Sequence, residues 1–381
     1  MPIRALHLIK ASQGIAASWA QRQIRELVRM GIEVHVAITP GGPMVRRYEE
    51  AGAKVHEIDL AVNLLRPVGF LRKVNGLREI VELVRPNLVH SHFVDCTILM
   101  RLALRSKPEI RRIFQVPGVL HLEHELTKRL ELKLAQDNDY WVGSCRKICQ
   151  IYRDAGVPED RVWLSYYCPD NIVKREAGRL RTELGIPDST FVAGMIAYMY
   201  PPKRWLGHTR GIKGHEDFLG AIKECAARGR DIKGVLIGGA YRGGHNYEKK
   251  LIKYGKINCG DRVVFLGTRN DVMDLYPDLD VAIHPSLSES LGGSGESLLM
   301  EIPTIATNIG GFVDVIEHEK TGWLVAPGRP DQIAETIDTI IENREQARRI
   351  ARQGRQRAME MFDLQRNTKI IHDIYGQLVE A

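Results

Sequence analysis

"VAIHPSLSESLGGSGESLLMEIPTIAT", residues 281–307, reads in order as a short apolar strand, a glycine-rich turn, an apolar helix and a second strand. Strand, helix and strand at this spacing form a βαβ unit, whose two strands lie parallel in one sheet with the helix across a face. The eight positions from Glu289 to Glu296 hold two carboxylates and three glycines, Gly292, Gly293 and Gly295. Nothing in helix or strand formation requires that mixture.

In an open parallel sheet, ligands gather at the carboxyl ends of the strands, where helix N-termini aim backbone N–H groups into the crevice. The turn occupies such a position. Its glycines let the backbone approach a ligand, and the unpaired N–H groups of the first helical turn favour an anion. Carboxylates accept hydrogen bonds only, so they suit hydroxyl pairs. A ligand with both phosphate and vicinal hydroxyls, such as a nucleotide sugar, satisfies both features. Taken alone, Glu289 is an ordinary turn residue and Glu296 a first-turn residue favoured by the helix dipole. The whole constellation favours the ligand.

The pattern repeats outward from this unit. Upstream, FVAGMIAY (191–198), a helix in GHEDFLGAIKECAARG, GVLIGG (234–239) and RVVFLGT (262–268) alternate strand with helix, and GWLV (322–325) follows downstream. The first half has the same rhythm: IRALHLI (3–9), a helix around 16–30, IEVHVAIT (32–39), VHEIDL (55–60), a helix near 70–85, NLVHSHF (87–93), DYWVGS (139–144) and VWLSYY (162–167). Nearly continuous apolar strands separated by helices predict parallel sheets covered on both faces. The polar stretch CPDNIVKREAGRLRTELGIPDST between the halves reads as a linker, and the final helix should return to the first half. The expected domains are therefore 1–170 with 364–381, and 171–363. Both are doubly wound α/β domains, each within the roughly 50–250 residues of a typical domain.

The 381 residues carry a formal net charge of +7, with 28 Lys+Arg against 20 Asp+Glu in residues 1–180. This basic half suits an anionic substrate or membrane surface as well as a plain solvated surface. No apolar run reaches the roughly 18–20 residues of a membrane span, and a cytoplasmic protein with free buried thiols is expected. Cys145 and Cys149 have no second Cys/His pair at zinc spacing, and no metal site is expected. One glycine, Gly14, follows the first strand where a dinucleotide fingerprint needs three, and GGAYRGGHNYE (238–248) lacks the Lys-Ser/Thr of a P-loop.

The stretch HPSLSESLGGSGESLLMEIPTIATNIGGFVDVIEHEKTGWLVAP resembles the signature region of family-4 retaining glycosyltransferases of the GT-B fold, with two Rossmann-like domains facing across a cleft. LVHSHF, VPGVLHLEH, GSCRKICQIYRDAGVPEDRV, RGIKGHEDFLGAI, LIGG and FLGTRNDV fall in the family's order. The family pattern leaves seven residues between its two glutamates, whereas Glu289 and Glu296 have six between them; Pro303 stands at the family's usual distance from Glu296. The resemblance implies that Glu296 holds ribose hydroxyls, Glu289 faces the donor sugar, and the amides of Leu291, Gly292 and Gly293 bind sugar hydroxyls or phosphate. Of the cations Lys203, Arg204, Arg210 and Lys213 in the loop after residue 198, Lys213 and then Arg210 are the candidates for the pyrophosphate, since Tyr198 stands at the family's usual arginine position. Arg269 would lie near the base and Gly14 near the diphosphate. His121 matches the histidine that contacts the donor sugar, with His124 a competitor, while His90 and His92 read as structural.

The resulting expectation is a retaining, metal-independent transferase without cofactor. It would move a sugar from a nucleoside diphosphate sugar, with uridine favoured, to a hydroxyl acceptor in glycan, glycolipid or natural-product biosynthesis. Its partners are that small-molecule donor and a carbohydrate, lipid-linked or small-molecule acceptor, with no nucleic acid. There is room for peripheral contact with the inner face of a membrane through LRPVGFLRKVNGLREIVELVRP and for homo-oligomerisation. The alternatives are a nucleotide-sugar 2-epimerase of the same architecture and a non-catalytic nucleotide-sugar binder.

Overall fold

The computed structural model describes residues 2–10, 18–61, 67–169, 172, 175–204 and 207–380. Two compact units make up the chain: Met1–Cys168 with Phe362–Ala381, and Pro169–Met361.

The first unit is built on β1 (Arg4–Ile9), β2 (Glu33–Ile38), β3 (Lys54–Glu57), β4 (Leu88–Ser91), β5 (Arg111–Val116), β6 (Asp139–Gly143) and β7 (Val162–Leu164). They form one parallel sheet in the order β3-β2-β1-β4-β5-β6-β7. The order reverses between β1 and β4, which opens a crevice at their carboxyl ends. Along β1 the side chains alternate between two cores, as the pleat requires. Ala5 and Ile9 pack with Ile24, Leu27, Tyr375 and Leu378, while Leu6 and Leu8 pack with Leu77, Val81 and Leu99. Tyr375 and Leu378 belong to the C-terminal helix Leu364–Glu380, which is part of this unit. Asn367 of that helix accepts the Ser165 hydroxyl on its carbonyl at 3.1 Å.

β5 carries two arginines, which obscured it as an apolar run. Arg112 is buried and donates to Asp139 at 2.6 Å, and the same carboxylate takes Nε of Arg101 at 2.9 Å. Glu131 completes the network, 2.7 Å from Arg101. Two arginines of the first half are thus buried with two acids, a neutral network inside the fold. In the helix Pro67–Val84, half-buried Lys73 lies 2.6 Å from Asp59, and exposed Arg78 donates to the carbonyl of Ala103 at 3.0 Å.

The second unit contains β8 (Phe191–Ile196), β9 (Ile232–Ile237), β10 (Val263–Phe265), β11 (Val281–His284), β12 (Thr304–Thr307) and β13 (Trp323–Val325). They form a second parallel sheet in the order β10-β9-β8-β11-β12-β13, reversing between β8 and β11. One face buries Met195, Phe218, Ile222 and Ile337, and the other Val192, Val235, Tyr276 and Met300. The stretch read as a linker folds in part onto this unit. Its helix Arg179–Leu184 is held by Asp278, which accepts from the amides of Gly178 and Leu180 at 2.5 and 2.6 Å. Among the described residues, no helix is long and apolar enough to cross a membrane.

Candidate functional site

At the carboxyl ends of β8 and β11, the loop holding Lys213 meets the turn holding Glu289. Gly214 makes that meeting feasible: it sits at φ +74°, and a Cβ there would lie 1.9 Å from the carbonyl oxygen of Pro285. The adjacent amide of Leu287 donates to the carbonyl of Ile212 at 2.7 Å, locking loop to strand end. The Lys213 ammonium consequently forms an ion pair with the Glu289 carboxylate, both side chains being more than four-fifths buried. Tyr200 flanks the pair, its ring centroid 5.6 Å from Lys213 Nζ.

The turn after Glu289 is shaped around that carboxylate. Gly292 adopts φ +48°, and a Cβ at this position would come within 2.7 Å of Glu289 Oε2. The Ser290 amide donates to Glu289 Oε1 at 3.1 Å. Below the turn, Ser294 and Ser297 are buried in the helix Ser294–Leu299, and the Ser297 hydroxyl lies 3.0 Å from His284 Nε2. Burial, followed by the Lys213 charge, pushes His284 down to about 3, so it is a neutral hydrogen-bonding support. Glu296 stands in the first turn of the helix, half-buried, with the Tyr276 hydroxyl 3.5 Å from its Oε2. Leu291 is buried beside it.

Two other predicted cations are differently placed. Arg210 is ion-paired with Asp217 in the first turn of the helix His215–Ala227. Arg269 is gripped on both sides, by Glu183 at 2.6 Å and Asp271 at 2.8 Å. The fold therefore brings Lys213, Glu289, Leu291, Gly292, Gly293 and Glu296 to one rim, while Arg210 and Arg269 each carry a carboxylate partner. Tyr200 and Tyr241, stacked with centroids 4.1 Å apart, join this rim without any signal in the sequence. Their contact depends on β8 and β9 lying side by side.

In the first unit, His121 follows β5. Its carbonyl accepts the Thr127 hydroxyl at 2.5 Å, and its Nε2 lies 3.5 Å from the Tyr152 hydroxyl. Burial lowers its pKa to about 4, with the Arg101 charge acting in the same direction, so the imidazole is neutral near pH 7. His124 begins the helix Glu125–Lys133 and its carbonyl also accepts from Thr127, at 2.9 Å. At the end of β1, Lys10 pairs with Asp95, a contact between positions too far apart to be read from sequence. Gly14 lies outside the described residues.

His90 and His92 are joined in the core by His7. Nδ1 of His7 lies 2.9 Å from Nε2 of His92, and the Tyr375 hydroxyl lies 3.0 Å from His7 Nε2 and 2.5 Å from His90 Nδ1. The three rings are within metal-ligating reach of one another. These hydrogen bonds engage four of their ring nitrogens and give them a structural role.

Two parallel-sheet units, the second with a cation, a carboxylate and a glycine turn at its switch point, have the architecture in which ligands bind at the carboxyl ends of strands. Residues 16–166 match the family model described as Glycosyltransferase Family 4, and residues 206–357 match Glycosyl transferases group 1. The chain belongs to this glycosyltransferase family, with the GT-B fold. An uncharacterised glycosyltransferase, YqgM of Bacillus subtilis, is 32% identical over 137 residues, 35% of this chain; the match spans only 36% of that relative. The N-acetyl-alpha-D-glucosaminyl L-malate synthase of Bacillus anthracis is 27% identical over 91% of this chain and 89% of its own length. Among solved structures, Anabaena HepE in complex with UDP-glucose superposes with a TM-score of 0.82 over 98% of this chain and all of its own, at 20% identity. That likeness is one of fold.

Proposed function

We propose that this chain transfers a sugar from a nucleoside diphosphate sugar, with UDP the favoured carrier, to a hydroxyl acceptor, with retention at the anomeric carbon and without a metal ion. The observation that carries the reading is the ion pair of Lys213 with Glu289 beside the Gly292 turn. The crystallisation of the fold relative HepE with UDP-glucose supports the choice of carrier.

On this reading, the second unit holds the donor and the first unit the acceptor. The incoming diphosphate takes the Lys213 ammonium from Glu289, whose carboxylate is released to accept from sugar hydroxyls. Glu296 accepts from the ribose. As the anomeric C–O bond breaks, negative charge grows on the departing phosphate oxygen, and a fixed cation there stabilises the transition state more than the ground state. The acceptor oxygen attacks from the same face, and its proton passes to that phosphate oxygen. Neutral His121 contributes a hydrogen bond to the donor sugar, and Arg210 reaches the phosphates only by leaving Asp217.

A thermal-shift screen of UDP-, GDP- and ADP-sugars tests the first half, because a ligand that binds only the folded state raises the melting temperature. The second half is tested by incubating the best donor with hydroxyl acceptors, with and without chelator, and reading the product anomer by NMR. A product with the donor's configuration at an unchanged rate under chelation is expected. An epimerised donor formed without acceptor would assign the site to isomerisation, and binding without turnover to a sensor.

A further inference from the structure

We propose a second binding site in this chain: an anion pocket between the loop after β8 and the helix His245–Cys259, shaped for a phosphorylated sugar or polyol and lined by residues other than Lys213 and Glu289. A cavity of about 540 Å³ lies between Pro201 and Pro202 on that loop and the helix His245–Cys259. Arg204, Arg242 and Lys250 line it, with Tyr247, Leu251 and Tyr254 supplying its apolar wall.

The charge balance of the cavity is one-sided. Several arginines of this unit are matched to acids, as Arg228 and Arg230 are to Asp338, or Arg179 to Asp271 and Asp274. Among the described residues, the exposed side chains of Arg204, Arg242 and Lys250 have no carboxylate partner. One acid lines the cavity, Glu216, and its Oε1 already accepts the Tyr247 hydroxyl at 2.8 Å. Three cations against one engaged carboxylate leave a net positive pocket, which an anion would neutralise.

Backbone geometry points the same way. Arg242 holds φ +43°, a left-handed conformation in which glycine or asparagine is the ordinary choice. A long cationic side chain at that position is placed at the pocket mouth against its local preference, with its guanidinium 5.3 Å from the Tyr241 ring centroid. A bare phosphate would leave most of the cavity empty. The tyrosine and leucine wall suits a carbon skeleton attached to the anion, and the Tyr254 hydroxyl suits its oxygens.

The test uses a hexose 6-phosphate as probe, titrated by calorimetry into the full chain with UDP present in excess. Saturable binding is expected, weakening steeply as salt is raised. The double variant Arg242→Ala, Lys250→Ala should lose at least tenfold in probe affinity, with its melting temperature and UDP affinity unchanged. Absence of saturable binding to the unaltered chain overturns the proposal, as does equal affinity in the variant. If UDP itself does not bind, the reading of the donor site fails, while a probe affinity that depends on Arg242 and Lys250 still upholds this pocket.

Discussion

Lys213 and Glu289 come from segments 76 positions apart, and each neutralises the other's buried charge while no ligand is present. That pairing keeps a cation inside the rim without the cost of an isolated buried charge. Lys213→Ala should therefore lower kcat on the order of 10²–10³-fold, the usual loss when one donor to a developing oxyanion is removed. Steady-state kinetics check this, and an unchanged kcat would remove Lys213 from the reacting centre. Glu296→Gln should weaken UDP binding by about 1–3 kcal/mol through loss of a hydrogen bond to a charged acceptor. Calorimetry showing equal affinity would leave Glu296 with no role beyond the first turn of its helix. His121→Ala should lower transfer while leaving nucleotide affinity intact; if His124→Ala has that effect instead, the other histidine is the site residue.

At the scale of elements, the first unit depends on a polar staple in its core. Asp139 at the start of β6 receives Arg112 from β5 and Arg101 from the helix Val94–Ala103, all three nearly inaccessible to solvent. Asp139→Asn leaves buried Arg112 without a counter-charge and Arg101 with Glu131 alone, for which about 3–5 kcal/mol of destabilisation is expected. Denaturant unfolding followed by tryptophan fluorescence measures it, since Trp141 lies beside the network and donates to Glu131 at 3.1 Å. A loss below about 1 kcal/mol would mean that the network contributes little. A strand such as RRIFQV is opaque in sequence for this reason: its charges are satisfied only by residues that the sheet brings alongside.

For the whole molecule, buried histidines set the response to acid. Burial holds His7 at about 3 and lowers His90 and His92 well below the ordinary value, and His215 in the second unit lies at about 4. Each folded pKa lies below the unfolded value near 6.5, so the unfolded chain binds more protons as pH falls. The stabilising contribution is complete above about pH 6.5 and is lost progressively below it, at up to roughly 1.4 kcal/mol per pH unit for each histidine. Melting temperatures should hold between pH 7 and 8 and fall steeply between pH 6 and 4.5. A flat profile across that range would show that these rings take up protons without unfolding.

The alternation of short apolar strands with helices, and the glycine-flanked glutamates at 289 and 296, were legible because they are local: a strand or a helix N-terminus is written within ten residues. Period and spacing alone therefore determined two parallel α/β sheets and the position of the glycine-rich turn after β11. Which acid each cation meets was decided only by tertiary structure. Lys213, Arg210 and Arg269 look alike in the sequence, yet Lys213 is answered by the turn carboxylate Glu289, Arg210 by Asp217 and Arg269 by Glu183 and Asp271, and Tyr200, Tyr241 and Lys10 acquire their partners from distant segments. Electrostatic energy depends on distance through space, and the chain order does not record that distance until the sheets have formed.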